Sequence, residues 1–386
     1  MLPPVVRALL ALLALSAVAA PALAAAQPPA DTTRRPPAPD TLRVDSVRAD
    51  SARRDSLRLD TSRMDSVRVD SAPPADRAAA PRASWLAAEA VRAPVRLPVS
   101  GGTGPRVLHV QVLLGAAGFS PGVLDGRWQA GTRAAVRAFR KAHGLGAGEA
   151  VNADTYARLV AAAQERPTLV DYRISRDDLR APLRKIPAGY HDKAKLEWLG
   201  YETVAERLAE RFHTTPIVLK ELNPGVDLEK VVPGTVLVVP NVWRLPPRAA
   251  PARLVVDKRL GMLHGYDADG GLLFALRASV GSTQTPSPTG LLKVRSITRY
   301  PWYQYNPRVL AGDASVKGRT ADLPPGPNSP VGVVWIQLSK AHIGIHGTPE
   351  PARVGSGQSH GCVRLTNWDA LFLASALAPG VEVEFL

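Results

Sequence analysis

The sequence holds a single cysteine, Cys362, so no disulfide can form within the chain and no zinc site built on several thiolates is possible. Aromatic residues are scarce, at 5% of 386 positions beside 36 prolines and 31 glycines, and part of the chain is therefore expected to be unstructured. Beyond the N-terminal stretch no apolar run is long enough to cross a membrane. What is present suits globular units. Hydrophobic residues make up 45% of the chain, and at roughly 100–200 residues per domain the length allows several. The net charge is +14, of which +10 falls on residues 101–386. Such a balance favours polyanions, among them nucleic acid, anionic membranes and acidic wall polymers, without choosing between them.

The first residues have the layout of a secretory signal peptide: Arg7, an apolar run over Ala8–Ala20, and the small-x-small site Ala22-Leu23-Ala24. Residues 1–26 are expected to be removed, leaving an exported protein of the periplasm or cell envelope with no stable membrane span. Over 27–100 the composition shifts. Asp40, Asp45, Asp50, Asp55, Asp60, Asp65 and Asp70 recur every five residues, and Arg43, Arg48, Arg53, Arg58, Arg63 and Arg68 follow at the same spacing. That period fits neither a helix nor a strand, so no apolar face accumulates and a disordered linker is expected.

Residues 101–165 read as a small all-α module. Thr132 is the expected N-cap of its middle helix, Val136 and Phe139 share one face, and Gly118 and Gly144 stop helices. Leu124-Asp125-Gly126, Gly131-Thr132 and Ala135–Phe139 resemble the peptidoglycan-binding helical domain, with Arg140 where that family often has glutamine. Residues 190–243 read as a small α+β module. Val204, Leu208 and Phe212 mark an amphipathic helix, Pro216 starts a second, and Thr235–Val239 is a β-branched strand. LGYETVAERLAERFHTTPIVLKELNP and VVPGTVLVVP resemble a LysM domain, which implies binding to N-acetylglucosamine-containing glycans; Gly200-Tyr201-Glu202 stands at its usual Gly-Asp opening. Leu245–Pro251 is a Pro-rich linker, so a catalytic unit starting at Arg253 is expected to act alone on a small soluble substrate.

Residues 253–386 are mainly β. Leu254–Val256, Leu272–Leu276, Leu291–Val294, Val333–Leu338 and Val381–Phe385 read as strands, Gly265–Gly271 as a turn, and Trp368–Leu377 as the one clear helix. Cys362 lies in Ser359-His360-Gly361-Cys362, sixteen residues after His346 in Ile345-His346-Gly347. In a strand, His342, Gly344 and His346 would share one face, with His346 at the strand's end near the cysteine loop. A thiol needs a neighbouring imidazole to act as a nucleophile at neutral pH. Gly361 permits close approach, so the amides of Gly361 and Cys362 can line an oxyanion hole. Two other readings stay open at this point: an inert buried thiol, and a zinc site of His342, His346, His360 and Cys362, although that set lacks CxxC or HxxxH spacing.

The stretch IHGTPEPARVGSGQSHGCVRLTNWDA resembles the YkuD-type L,D-transpeptidase signature, with support from ASVGSTQTPSPTGLLKV, LPPGPNSPVG and APGVEVEF. The resemblance implies Cys362 as nucleophile, His346 as base, the carbonyl of Gly347 orienting His346, and Ser359 and His360 shaping the site. Arg364 would meet a substrate carboxylate, and Trp302, Tyr303 and Tyr305 would line the acyl-donor cleft. The implied reaction is peptidoglycan transpeptidation giving 3→3 crosslinks, with another amine or water as alternative acceptors; water would make it an L,D-carboxypeptidase. A non-catalytic wall-binding protein is the reading from a different class. The implied partners are peptidoglycan stem peptides and glycan strands rather than nucleic acid, and no metal or organic cofactor is implied.

Overall fold

The computed structural model describes residues 85–311, 317–357 and 359–386. The expected signal peptide and the Asp/Arg repeat lie outside the described residues. Residues 85–100, assigned above to the linker, are folded. Leu86 and, from helix α1 (Ala88–Arg92), Ala88 and Val91 are buried with Leu108 and Val112, and Val99 bridges Val151. These apolar side chains supply the packing surface that the charged repeat before them lacks.

Helix α2 (Pro105–Ala116) starts on a proline and is followed by Gly118, whose φ of +86° few other residues tolerate. Strand β1 (Phe119–Ser120), helix α3 (Ala130–Ala142) and helix α4 (Ala153–Ala162) complete the helical unit. Val136 and Phe139 are fully buried, as expected. Thr132 is not the N-cap of α3, which is Gln129. It lies buried in the first turn, where its Oγ1 accepts from Gln111 Nε2 at 3.0 Å. Gln111 Oε1 in turn accepts from the amides of Asp125 and Gly126, at 3.0 and 2.8 Å. The Leu-Asp-Gly loop and the start of α3 are thereby tied to one buried amide.

The second unit runs from strand β2 (Leu169–Arg173) through helices α5 (Arg176–Arg180), α6 (Tyr190–Lys193), α7 (Val204–Arg211) and α8 (Pro216–Leu222) to strand β3 (Val236–Pro240). Strands β2 and β3 pair antiparallel, Val170 opposite Val239. The unit thus opens at Leu169, upstream of the boundary at 190 read from sequence. Val170 and Tyr172 face inward on β2, alternating with Asp171 and Arg173 on its outer positions. Leu208, Phe212 and Leu219 pack on Val170, Tyr172, Leu237 and Val239.

The third unit contains strands β4 (Arg253–Asp257), β5 (Met262–Tyr266), β6 (Leu272–Arg277), β7 (Gly290–Arg299) and β8 (Tyr303–Tyr305), then helix α9 (Pro307–Ala311) and strands β9 (Ala321–Leu323), β10 (Val334–Leu338), β11 (Gly344–His346) and β12 (Val363–Arg364). Helix α10 (Asn367–Ala376) and strand β13 (Glu382–Phe385) close the chain's order of elements. All five expected strands and the expected helix are present. Gly265 is in strand β5 rather than a turn, and the ring of Phe274 occupies the place of its missing side chain, with Cζ 2.2 Å from where a Cβ would stand. His342 precedes β11 with a left-handed φ of +60°, so it does not share a strand face with Gly344 and His346.

The nine-stranded sheet has the order β1-β6-β5-β4-β13-β7-β10-β11-β12, and its first member comes from the helical unit. Met262, Leu272 and Ala275 of the third unit are buried in the core of the helical one. Arg244 Nη2 donates to Asp369 Oδ1 at 2.9 Å and Ser120 Oγ donates to Asp369 Oδ2 at 2.7 Å, with the carboxylate fully buried. The Pro-rich linker therefore joins packed units, and the expected independence of residues 253–386 has no support in this packing. Among the described residues no helix is long and apolar enough to cross a membrane.

Candidate active site

The thiol is placed by the parallel pairing of β11 with β12, which sets Ile345 beside Val363 and His346 beside Arg364. Ile345 and Val363 are fully buried in the core of the sheet. Side chains alternate along a strand, so His346, Arg364 and Cys362 share the opposite face. The loop bearing Cys362 is held from its other side by Ser279 and Gly281, which bridge Arg364 and Ser359. Ser359 Oγ donates to the carbonyl of Cys362, Thr285 Oγ1 donates to the carbonyl of Ser359 at 3.2 Å, and Ser287 Oγ donates to the carbonyl of Gly361 at 2.9 Å. Gly361 has φ +105°, a conformation that calls for glycine, and a Cβ there would lie 3.3 Å from Ile343 Cδ1.

Cys362 Sγ donates to the carbonyl of His342 at 3.5 Å. Burial pushes the thiol up, opposed by the Gly344 amide and the Arg364 charge, and the sulfur is protonated at neutral pH. His346 is buried, its ring stacked on Trp335 at 5.5 Å between centroids. Its Nδ1 is 2.6 Å from the carbonyl of Gly347. A carbonyl only accepts, so Nδ1 carries the proton and Nε2 the basic lone pair. Burial, with Arg364 adding to it, pushes this imidazole down to about 4. The pair is thus a neutral thiol and a neutral base rather than a resting ion pair.

Beneath the His346–Gly347 turn lies Asn367. Its Oδ1 accepts from the amides of Val333 and Thr348 at 3.2 and 3.1 Å. A Cβ on Gly332 or Gly347 would stand 2.0 or 2.2 Å from that oxygen, so both backbones reach it only as glycines. Asn367 Nδ2 donates to Glu210 Oε1 at 3.0 Å and to the carbonyl of Pro327 at 3.2 Å.

The structure gathers Cys362, His346, Gly347, Ser359, Gly361 and Arg364 in this frame. Tyr303 joins them: burial raises its hydroxyl to about 12, with Tyr190 and the Cys362 charge adding to the shift. Tyr305 is covered by Tyr190, whose ring lies 4.0 Å away and 15° from parallel. His360 and Trp302 are solvent-exposed, Trp302 by 61%, and take no part in the hydrogen-bonded frame among the described residues. The zinc set of His342, His346, His360 and Cys362 is not assembled; among the described residues no group of three such side chains is placed to hold an ion. Sequence reasoning missed Trp335, Glu210, Asn367 and Tyr190. Asn367 lies within the quoted NWDA stretch, whereas Tyr190 and Glu210 had no local signal pointing to a site more than a hundred residues downstream.

A cysteine just before the edge strand β12 and a histidine at the end of its neighbour β11, with the imidazole tautomer fixed by a carbonyl, define an acyl-transfer type of centre. The family model for the YkuD L,D-transpeptidase catalytic domain matches residues 251–384, and the model described as "Putative peptidoglycan binding domain" matches residues 103–159. The chain is 30% identical to the "Putative L,D-transpeptidase YkuD" of Bacillus licheniformis over 178 residues, covering 46% of this chain and 90% of that protein. It is 29% identical to the "Probable L,D-transpeptidase YbiS" of Escherichia coli over 170 residues, 44% of this chain and 55% of that one. The match to an L,D-transpeptidase structure from Xylanimonas cellulosilytica covers 76% of this chain and 98% of that one at 17% identity, with a TM-score of 0.32. The chain belongs to the YkuD family of L,D-transpeptidases, and its class as an enzyme is theirs.

Proposed function

We propose that this protein crosslinks peptidoglycan by L,D-transpeptidation through a thioester on Cys362. The His346 Nε2 lone pair takes the thiol proton as sulfur attacks the carbonyl of the third, diamino-acid residue of a tetrapeptide stem. The amides of Gly361 and Cys362 donate to the oxyanion. The bond to the terminal D-alanine breaks, and the proton on His346 leaves with its amine. A second stem's amine then attacks the thioester, which frees the thiol and completes a 3→3 crosslink. Arg364, partly buried on the face of the thiol, meets a substrate carboxylate. The observation that carries this reading is the Nδ1–Gly347 hydrogen bond, because it leaves Nε2 basic on the face of Cys362.

The upstream units fit the same polymer. The antiparallel β2–β3 pair with α7 and α8 packed against it supports a LysM-like unit for glycan strands. The helical unit would hold the same wall, and the site of action would be the periplasm or cell envelope. Incubation with disaccharide-tetrapeptide, with products resolved by mass, tests the reading. A crosslinked dimer with released D-alanine supports it; a tripeptide alone would assign the carboxypeptidase reaction, and unchanged substrate would remove catalysis.

A further inference from the structure

Glu210 sits on α7, in the unit upstream of the catalytic one, and no step of the reaction above uses it. Its Oε1 accepts from Asn367 Nδ2 and from the Tyr201 hydroxyl, each at 3.0 Å. Asn367 Oδ1 accepts from the amide of Thr348, and the carbonyl of Gly347, one residue earlier, holds His346 Nδ1. Asn367 can serve Glu210 and Thr348 at once only in one amide orientation. The carboxylate and the carbonyl of Pro327 accept from the NH2 group and together turn the oxygen toward Thr348. With Glu210 gone, the NH2 group keeps only the carbonyl of Pro327 as its acceptor, and Asn367 holds the Gly347–Thr348 turn less firmly.

We infer that Glu210 is a positioning residue for the His346 imidazole, acting through Asn367 and the Gly347–Thr348 turn. This deepens the proposed reaction and rests on His346 being its base. The arrangement makes the upstream unit part of the catalytic apparatus rather than a tether. Burial raises Glu210 to about 7, and either protonation state keeps an acceptor for Asn367.

The test compares Glu210→Ala, Glu210→Gln, Asn367→Asp and the double variant Glu210→Gln/Asn367→Asp in the full chain. It reads D-alanine release and the pH profile of Cys362 alkylation by iodoacetamide. Glu210→Gln keeps the acceptor and should stay within about twofold of wild type. Glu210→Ala should lower kcat by about ten- to a hundredfold, the scale of a misplaced catalytic group, with KM within about twofold, and shift the alkylation profile to higher pH. Asn367→Asp should do the same. The double variant, in which the introduced amide can donate to the introduced carboxylate, should recover part of the loss. A Glu210→Ala variant with a lower melting temperature but unchanged kcat and alkylation profile would overturn the inference. Wild-type protein that releases no D-alanine would defeat the proposed reaction instead, and the alkylation profiles would still judge the role of Glu210.

Discussion

Tyr190 lies flat on Tyr305, ring centroids 4.0 Å apart and planes 15° from parallel, although the two residues belong to different units of the chain. Tyr305 shares β8 with Tyr303, which is within electrostatic reach of Cys362. A segment of the second unit therefore packs against the same strand that brings Tyr303 near the thiol.

Removal of the upstream units should consequently harm the enzyme even on a small substrate. A chain starting at Arg253 loses β1 from the sheet edge and exposes Met262, Leu272 and Ala275. It also takes Arg244 and Ser120 away from Asp369, whose carboxylate loses both partners. The expected outcome is a lower melting temperature and loss of most D-alanine release from a soluble tetrapeptide. Wild-type activity in the truncated chain would show that these contacts do not matter for catalysis.

The pH profile should follow from the neutral thiol–imidazole pair. As the proposed base, His346 must be unprotonated to act, and burial holds it at about 4. The acidic limb of kcat/KM is expected near pH 4 rather than near the ordinary histidine value of 6.5. An acidic limb at 6–7 would mean that a different group is the base.

Stability should respond to two groups with opposite sign. His346 is depressed from 6.5 to about 4, so the unfolded chain takes a proton first and stability falls as pH drops through that window. Glu210 is raised from 4.5 to about 7, so its folded form keeps a proton that the unfolded chain releases, and its contribution is lost as pH rises through that window. Glu210→Gln removes the second effect alone. Its melting temperature relative to wild type should rise between pH 4.5 and 7, as scanning calorimetry across that range would show; a constant difference would contradict the raised carboxyl.

Gly265→Ala should destabilise the sheet. The new methyl would overlap the Phe274 ring, 2.2 Å from Cζ, in a fully buried layer. Overpacking of this kind costs about 1–3 kcal/mol. Urea unfolding should show the loss, and an unchanged midpoint would mean that Phe274 moves aside freely.

The residues of the candidate site were legible because their information is local. Ser359-His360-Gly361-Cys362 and Ile345-His346-Gly347 sit in short stretches whose glycines and alternation point to a strand and a tight loop. Five strands of the third unit read correctly because each is a short apolar-rich run or, as in Val381–Phe385, an apolar–charged alternation. Strand β5 did not, since Gly265 resembles a turn residue until Phe274 is seen beside it. Thr132 was misread as a cap because its hydroxyl serves a buried amide, Gln111, twenty-one positions earlier. The roles of Tyr190 and Glu210 were invisible for the same reason: their partners, Tyr305 and Asn367, lie in another unit, and no pattern of neighbours encodes that meeting.

The most direct test of the account is the mass of the intact protein during turnover. With a tetrapeptide stem and no acceptor amine, wild-type protein should gain the mass of the stem less its D-alanine. Peptide mapping should locate the adduct on Cys362, and Cys362→Ser, whose hydroxyl is a far weaker nucleophile at this pH, should gain nothing. An adduct on another residue, or D-alanine release by the serine variant, would contradict the thioester mechanism.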